Sequence, residues 1–261
     1  MMEFYQVKSG DYSVEIDLKK LFGEDPDQLN SFTRHYKAIA AQDEDFKALS
    51  SLRDGFLRYA SETVLPLVED DFKPKILLVY GNPATHSVKH GMFFFSKGGD
   101  NFYRSGMWGK LANASLVSRL KSCIKDHYRC RQQEANVRKL MILSGISSPN
   151  YRVGLTTFYS LPTPASGSYY AGVAGVEKLF GPVLHKIAEA EVNRMQSYPF
   201  SDGATIVFTQ KSSYDMYCEL TGTKPEFWPI KGKGSDGDNL AKLLSLKHPI
   251  PSKKERWAKG E

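Results

Sequence analysis

Apolar residues in the first part of the chain recur every three or four positions. Between residues 43 and 68 these positions are Phe46, Leu49, Leu52, Phe56, Leu57, Ala60 and Val64. Such spacing places them on one side of an α-helix, and residues 27–69 as a whole are predicted to be helical. Pro74 ends the pattern, because proline does not continue a helix. We therefore expect a helical N-terminal extension over residues 1–70.

Four short apolar runs later in the chain predict β-strands. They are KILLVY (75–80), YRVGLTTFY (151–159), ATIVF (204–208) and LLSL (243–246). The first run is apolar throughout, which is typical of a parallel strand that is buried on both faces. Helical patterns over 105–124, 127–143, 173–195 and 212–220 alternate with these runs, and Pro182 is expected to bend or split the third helix.

This alternation predicts a single α/β domain with three α/β/α layers and a mainly parallel central sheet. The core of that domain would cover residues 75–258. In such sheets the ligand site lies at the carboxyl ends of the strands. The loops of interest are therefore those that follow Tyr80, Tyr159, Phe208 and Leu246.

Composition and charge narrow the class of protein. Hydrophobic residues make up 41% of the 261 residues, enough for a packed core rather than a disordered chain. The formal charge is +6, and residues 224–261 carry nine Lys or Arg against five Asp or Glu. This basic C-terminal region is either a solvated tail or a surface that contacts phosphates.

Other classes of protein have little support in the sequence. Three cysteines, Cys123, Cys130 and Cys218, cannot form a disulfide framework or the four-cysteine ligand set of a zinc or iron–sulfur site. No run of 18 apolar residues predicts a membrane span, and the N-terminus lacks the pattern of a secretory signal. We expect an intracellular monomer without a metal or other cofactor, and with no membrane partner.

Two of the strand-end loops carry candidate chemistry. Asn82 follows a buried strand and precedes Pro83, so its backbone is restricted, and its amide is able to hold a water or a ligand oxygen. In the predicted last loop, prolines 249 and 251 stiffen the chain around His248. A rigid histidine at a strand end is suited to stabilising a developing anion.

These segments together resemble motifs of the uracil-DNA glycosylase superfamily. Tyr80-Gly81-Asn82-Pro83 is similar to the first motif, and His90-Gly91-Met92-Phe93-Phe94 is similar to the element that supplies a ring for stacking on uracil, with Phe94 as the best match. Residues 100–103 (DNFY) and 154–166 are similar to segments of the mismatch-specific branch. His248-Pro249-Ile250-Pro251 matches three of four positions of the second motif.

The resemblance implies a DNA glycosylase that hydrolyses the N-glycosidic bond of uracil or a related damaged base. It implies that Asn82 positions the attacking water and that His248 stabilises the departing base. Gly81, Pro83, Phe94 and Thr157 would bind the substrate, with DNA as the partner. A final group would contact the DNA: Ile250, Ser252, Lys253, Lys254 and Arg256.

The chain also departs from the family pattern. Tyr80 stands where the family has glycine, Thr157 stands where several branches place a base-reading asparagine, and Ile250 replaces a serine of the second motif. Two alternatives therefore stay open. One is a non-catalytic nucleic-acid-binding member of the same fold, and the other is an unrelated α/β enzyme that acts on a small molecule in the same strand-end cleft.

Overall fold

The computed structural model describes residues 2–8, 12–23, 25–67, 72–95, 106–118, 128–165, 167–229 and 237–249. The described strands are β1 (Tyr5–Lys8), β2 (Ser13–Asp17), β3 (Ser50–Arg53), β4 (Phe56–Ala60), β5 (Lys75–Tyr80), β6 (Arg152–Thr157), β7 (Thr205–Phe208) and β8 (Glu226–Phe227). The described helices are α1 (Leu18–Phe22), α2 (Pro26–Gln42), α3 (Glu44–Leu49), α4 (Thr85–His90), α5 (Met107–Asn113), α6 (Tyr128–Leu143), α7 (Val173–Phe180), α8 (Leu184–Gln196), α9 (Lys211–Thr221) and α10 (Gly237–Lys247).

The N-terminal region is not the helical extension that the spacing predicts. Its strands form an antiparallel sheet in the order β1-β2-β4-β3, and helix α3 ends at Leu49. Asp54 and Gly55, with φ of 54° and 82°, form the turn between β3 and β4. Two adjacent positive φ angles match the twist of a tight hairpin. The predicted helix is therefore wrong beyond Leu49, because this turn redirects the chain into a hairpin.

The second sheet is parallel, in the order β6-β5-β7-β8. Three of its strands confirm the runs at 75–80, 151–159 and 204–208. Strand β5 lies at its centre and is buried along nearly its whole length. Its neighbours run in register with it, so that Tyr80 is paired with Thr157 at the carboxyl end.

Helices cover both faces of the parallel sheet. Leu77 and Val79 of β5 pack into a core that includes residues of α7, α8 and the N-terminal sheet. Ile76, Leu78 and Tyr80 point to the opposite face and pack with residues of α5, α6 and α10. The alternation along β5 follows from the two-residue period of a strand. The described chain is thus a mixed α/β protein with a parallel sheet flanked by helices.

The last predicted strand, at residues 243–246, is wrong. These residues belong to helix α10, in which Leu240 and Leu244 are fully buried. A spacing of four residues puts both leucines on the same side of a helix, facing the core. The fourth parallel strand is instead β8, and Trp228 continues it into a buried position.

Pro182 divides the predicted third helix as expected. Helix α7 ends at Phe180, a 3₁₀ turn covers Gly181–Val183, and α8 begins at Leu184. The chain also adds the short helix α4 within the loop that follows β5. This loop and the one after β6 form the carboxyl edge of the sheet, where a ligand site is expected.

Candidate functional site

The loops that follow β5 and β6 are joined by backbone hydrogen bonds. Phe158 N donates to Tyr80 O at 2.7 Å, and Thr163 N donates to Pro83 O at 3.1 Å. Thr85 N then donates to Thr163 O at 3.0 Å, at the start of helix α4. Pairing thus continues beyond the ends of the two strands. The backbone of this edge is held in one arrangement, which fixes the side chains that project from it.

Gly81 allows this edge to pack closely against helix α7. A Cβ at this position would lie 2.6 Å from Val173 Cγ2 and 3.2 Å from Gln210 Cγ. The first separation is far shorter than a normal carbon–carbon contact. Gly81 therefore serves close packing beside the site, and any contact that it makes with a substrate would be through its backbone.

The carboxamide of Asn82 has a fixed orientation. Its Nδ2 lies 2.8 Å from Thr163 Oγ1, 3.2 Å from Leu161 O and 3.3 Å from Pro83 O. Two of these atoms are carbonyl oxygens, which only accept hydrogen bonds, so the amide nitrogen must face them. Within the described residues, Oδ1 accepts no hydrogen bond. The half-buried carboxamide therefore offers its oxygen to a water or a ligand.

Phe94 lies at the same edge of the sheet as Asn82. Its ring packs edge-on to Tyr80, the last residue of β5, with 4.7 Å between the ring centroids. Phe93 and Phe95 are buried, whereas Phe94 is only half-buried and has a φ of 56°. A positive φ is costly for a bulky residue. The left-handed backbone sends this one ring to a partly open position, as a stacking role requires.

Thr157 is also at this edge, as the last residue of β6. Its side chain is fully buried, and its Oγ1 has no hydrogen-bond partner in the part of the chain that the structure describes. Its carbonyl oxygen accepts a hydrogen bond from Arg194 Nη2 at 2.5 Å. Thr157 therefore brings an unpaired hydroxyl next to Tyr80.

A second unpaired polar group at this edge is Glu62, which the sequence analysis does not single out. The side chain is 5% exposed, and neither carboxyl oxygen has a hydrogen-bond partner among the described residues. Burial raises the pKa of Glu62 to about 8, and the charge of Lys139 on α6 partly opposes this effect. The carboxyl group is thus mainly protonated at neutral pH. Nothing in the local sequence, SETV, indicates this environment.

Beside the Asn82 loop lies an acidic cleft of about 560 Å³. It is lined by Gln42, Asp43, Glu44, Asp45, Thr85, His86, Phe95 and Ala165. Asp43 accepts hydrogen bonds from Phe46 N and from Thr85 Oγ1, both at 2.9 Å. This carboxylate therefore ties α3 to α4. Asp45 pairs with Lys89 and Glu44 with Lys47, so the cleft keeps a smaller negative charge than its three carboxylates suggest. That charge is unfavourable for a phosphate backbone.

His248 does not lie at this edge, contrary to the sequence-based expectation. It follows helix α10, and its Nε2 is 2.8 Å from Oγ1 of Thr205, the first residue of β7. Its ring also packs edge-on to Tyr151, directly before β6, with 6.4 Å between the centroids. Both neighbours mark the amino ends of the strands. Strand β5 rises by about 3.3 Å per residue, so roughly 15 Å or more separates the two edges.

The expected DNA contacts at the C-terminus lie outside the described residues. They are Ile250, Ser252, Lys253, Lys254 and Arg256. Residues 100–103, which resemble a segment of the mismatch-specific branch, also lie outside them. Of the predicted site residues, the structure brings together Gly81, Asn82, Pro83, Phe94 and Thr157 and places His248 elsewhere.

A buried ion pair supports the loop after β6 from the face opposite Glu62. Glu191 Oε1 accepts hydrogen bonds from Ser160 N at 2.7 Å and Ser160 Oγ at 2.6 Å, and Glu191 Oε2 pairs with Arg194 Nε at 2.5 Å. Tyr5 OH donates to Glu191 Oε2, and Tyr59 OH bonds to Ser160 Oγ. The N-terminal sheet is thus attached to the site loop. The sequence signal for this pair is two charges on the buried side of the α8 period.

Burial affects the ionisation of this cluster. The pKa of Tyr5 is raised well above its ordinary value, first by desolvation and then by the charge of Glu191. For Arg194, desolvation acts to lower the pKa, but the opposing effect of Tyr198, Glu191 and Tyr5 is greater, so the pKa lies above its usual value. Arg194 therefore remains charged across the accessible pH range and keeps its bond to the carbonyl of Thr157.

Comparison of the chain with models of known protein families, and with curated proteins, finds no match. Among the described residues, no helix has the length and apolar character needed to cross a bilayer. The same part of the chain brings no three His, Cys, Asp or Glu side chains together in a way that would hold a metal ion.

Proposed function

We propose that the protein is a monofunctional DNA glycosylase that hydrolyses the N-glycosidic bond of uracil or a related damaged base. The observation that carries the proposal is the carboxamide of Asn82. Protein acceptors hold its nitrogen, while its oxygen is available at the carboxyl edge of a parallel sheet. An oxygen fixed in this way accepts a hydrogen bond from a water and orients the water's lone pair toward the sugar.

Other features at the same edge support this proposal. The half-buried ring of Phe94 offers a surface on which an extruded base would stack, and such stacking offsets part of the cost of removing a base from the duplex. The motifs around Asn82 and Phe94 resemble those of the uracil-DNA glycosylase superfamily. The proposal requires that one extruded base reach both the ring of Phe94 and the water held by Asn82.

The reaction needs one water and no other reactant. The water oxygen bonds to the sugar C1′, while the N-glycosidic bond breaks and its electron pair goes to the base. One water proton is finally taken up by the base, which leaves a free base and an abasic sugar. Positive charge on the sugar in the transition state is compatible with the acidic side chains of the neighbouring cleft. His248, on the opposite edge, takes no part in this mechanism.

The test is release of free base from an oligonucleotide that contains a single uracil, in single- and double-stranded form. The wild-type protein should release uracil, and Asn82→Ala should lower the rate by about 100-fold or more, as expected for loss of a group that positions the water. The matched control is Asn193→Ala, on the exposed side of α8, which should leave the rate unchanged. Absence of base release with uracil or any common lesion would contradict the proposal.

The acidic cleft favours a second candidate, a hydrolase acting on a small N-glycoside. Asp43, Glu44 and Asp45 lie beside the Asn82 loop and repel a polyanion more strongly than a free nucleoside. This candidate predicts that free deoxyuridine is hydrolysed at least as efficiently as the oligonucleotide. It also predicts little effect of salt, whereas activity on DNA should fall steeply as salt rises, because DNA binding releases counterions.

A further inference from the structure

Three buried polar side chains that have no hydrogen-bond partner among the described residues occupy neighbouring positions at the carboxyl edge. They are Glu62, Tyr80 and Thr157, which are 5%, 4% and 0% exposed. Tyr80 and Thr157 are direct neighbours in the register of β5 and β6. The antiparallel bridge between Val64 and Leu155, continued by two residues, places Glu62 opposite Thr157. The three residues therefore form a row across the sheet.

The row lies on a single face of the sheet. Val64, Leu155 and Tyr80 pack in the same core, together with residues of α5 and α6. The intervening residues Thr63 and Thr156 point to the other face, where their hydroxyl oxygens are 3.0 Å apart. Side chains alternate along extended chain, so Glu62 projects to the face of Val64. The effect of Lys139, on helix α6, on the ionisation of Glu62 agrees with this placement.

Unpaired buried polar groups are rare, because each costs about 1–3 kcal/mol. Three such groups in adjacent positions, each unpaired within the part of the chain that the structure describes, are the observation from which we infer a ligand site. The row begins beside the partly open ring of Phe94, which packs against Tyr80. Lys139 Nζ lies 3.8 Å from where a Cβ on Gly91 would be, close to the loop that carries Phe94, and its charge also acts on Glu62. Apolar residues and hydroxyls thus line the row, with one ammonium group nearby.

We propose that Glu62 binds the hydrogen-bonding edge of an uncharged nucleobase whose ring stacks on Phe94, with Tyr80 and Thr157 as further hydrogen-bonding groups. This inference rests on the proposed function for the nature of the base. A neutral carboxyl group has one O–H donor and one carbonyl acceptor side by side. The adjacent N–H and C=O groups of uracil are the complementary pair. Glu62 is thus a binding residue that an element outside the resemblance contributes.

The protonation of Glu62 suits this role. Around neutral pH the carboxyl keeps its proton, and the groups that face it are Lys139 of α6 and the neutral phenol of Tyr80. Burial raises the pKa of Tyr80 further above its ordinary value, so this phenol also keeps its proton. As the pH rises through about 8, Glu62 ionises and loses its donor. Base binding should therefore weaken in alkaline solution.

The experiment is calorimetric titration of the full-length protein with free uracil at pH 7 and pH 9. Wild type should bind uracil at pH 7 and bind at least about tenfold more weakly at pH 9, as expected for the loss of one hydrogen-bond donor. Glu62→Gln keeps a donor and an acceptor, so its affinity at pH 9 should exceed that of wild type. Because uracil itself titrates near this pH, Glu62→Gln also provides the reference for that effect.

Two further variants separate binding from structure. Glu62→Leu should lose at least about tenfold in uracil affinity at pH 7, because it removes both hydrogen-bonding groups. Glu219→Leu, at a carboxylate that is 67% exposed on α9, should bind uracil as wild type does. If Glu62→Leu does not fold, as judged from its thermal melt, the comparison of Glu62→Gln with wild type at pH 9 decides the question.

The inference is overturned if wild type does not bind uracil, if Glu62→Leu binds within twofold of wild type, or if Glu62→Gln and wild type lose affinity equally at pH 9. Its failure differs from failure of the proposed function. If the protein binds uracil through Glu62 but releases no base from oligonucleotides, the binding role of Glu62 stands and the proposed glycosylase activity fails. If the protein releases base, and Glu62→Leu changes neither base release nor uracil binding, the glycosylase activity stands and the binding role of Glu62 fails.

Discussion

At the scale of single residues, Asn82 shows how neighbours select one side-chain type. The carbonyl oxygens of Leu161 and Pro83 face the amide nitrogen and would repel a carboxylate at this position. An aspartate would exchange these two favourable contacts for unfavourable ones unless it took a proton. The surroundings of residue 82 are therefore built for a carboxamide, and the orientation of its oxygen follows from the loop after β6.

The raised pKa of Glu62 predicts how the free energy of unfolding depends on pH. Its pKa is about 8 in the folded protein against an ordinary value of 4.5, so the folded chain retains a proton that the unfolded chain has lost. Between these two values the free energy of unfolding must fall as pH rises. Glu62→Gln removes this dependence, because the amide does not titrate.

We expect Glu62→Gln to be more stable than wild type by about 3 kcal/mol at pH 7, and by less than about 1 kcal/mol at pH 5, on the scale of about 1.4 kcal/mol per pKa unit. Urea denaturation at the two pH values measures both differences. The control is Glu219→Gln at an exposed position. An equal effect of Glu62→Gln at pH 5 and pH 7 would show that the carboxyl is not held neutral by burial.

At the scale of elements, helix α10 decides the position of His248. The backbone N of His248 donates to Leu244 O at 2.8 Å, which continues the helical pattern to this residue. The buried leucines of α10 face the core, and α10 packs against α5. His248 therefore lies at the amino edge of the sheet, where it forms a hydrogen bond with Thr205.

The position of His248 leads to an expectation that differs from the sequence resemblance, which implies that His248 stabilises the departing base. His248→Ala should leave the rate of base release within about twofold of wild type, because the imidazole is on the edge opposite Asn82. The loss of the bond to Thr205 should cost about 1 kcal/mol of stability. Base-release kinetics and urea denaturation of the same variant check both statements. A loss of 100-fold or more in rate, with stability retained, would place His248 in the active site.

The hairpin β3–β4 depends on its turn. Gly55 has a φ of 82°, and a Cβ there would come within 3.3 Å of Lys19 Cε, the far end of a flexible side chain. Backbone strain is therefore the main cost of a side chain at this position. We expect Gly55→Ala to lower stability by about 1–2 kcal/mol. Gly55→Asn, which tolerates a left-handed backbone better, should cost less, and thermal melts of the two variants give the comparison.

At the scale of the whole molecule, Glu191 and Arg194 join the antiparallel sheet to the parallel one. Each ion satisfies the other inside the protein, so removal of one leaves a buried charge without its partner. Arg194→Met should destabilise the protein by about 3–5 kcal/mol. It should also lower uracil-releasing activity, because Arg194 holds the carbonyl oxygens of Thr157 and Phe158.

The double variant Arg194→Met, Glu191→Gln tests the origin of that cost. It removes both charges and should recover part of the stability that Arg194→Met loses, as a denaturant titration would show. Lys211→Met, at a cation that is 65% exposed on α9, is the control and should cost less than about 1 kcal/mol, because its ion pair with Asp215 lies at the surface. If the double variant is less stable than Arg194→Met, the buried charge is not the source of the loss.

The parallel core was predictable because its central strand, β5, is a continuous apolar run typical of burial on both faces, and because further strand candidates alternate with helical patterns. The position of Asn82 at the carboxyl edge was predictable because it follows β5 directly, and Phe94 lies at the same edge because its ring packs against Tyr80. The position of His248 was not, because LLSL is compatible with a strand and a helix, and the choice depends on the packing of Leu240 and Leu244. The burial of Glu62 was not predictable, since a buried carboxyl leaves no signal in the sequence around it.

The hairpin was missed for a different reason. Its apolar residues happen to satisfy a helical period, while the Asp54-Gly55 pair is the signal for a tight turn between alternating residues. The turn signal of these two residues therefore determines the structure of the segment, although the spacing of its apolar residues fits a helix. Interpreted in that order, the segment from residue 50 to residue 60 would have been predicted as two strands.

The bridge between Val64 and Leu155 has a consequence for aggregation. Strand β6 is the outermost strand of its sheet, and the segment around Val64 occupies hydrogen-bonding groups that would otherwise be open to a second molecule. Shortened versions of the protein that begin at residue 72 would uncover this strand. Such fragments should self-associate through β6. The first 65 residues therefore also prevent strand pairing between molecules.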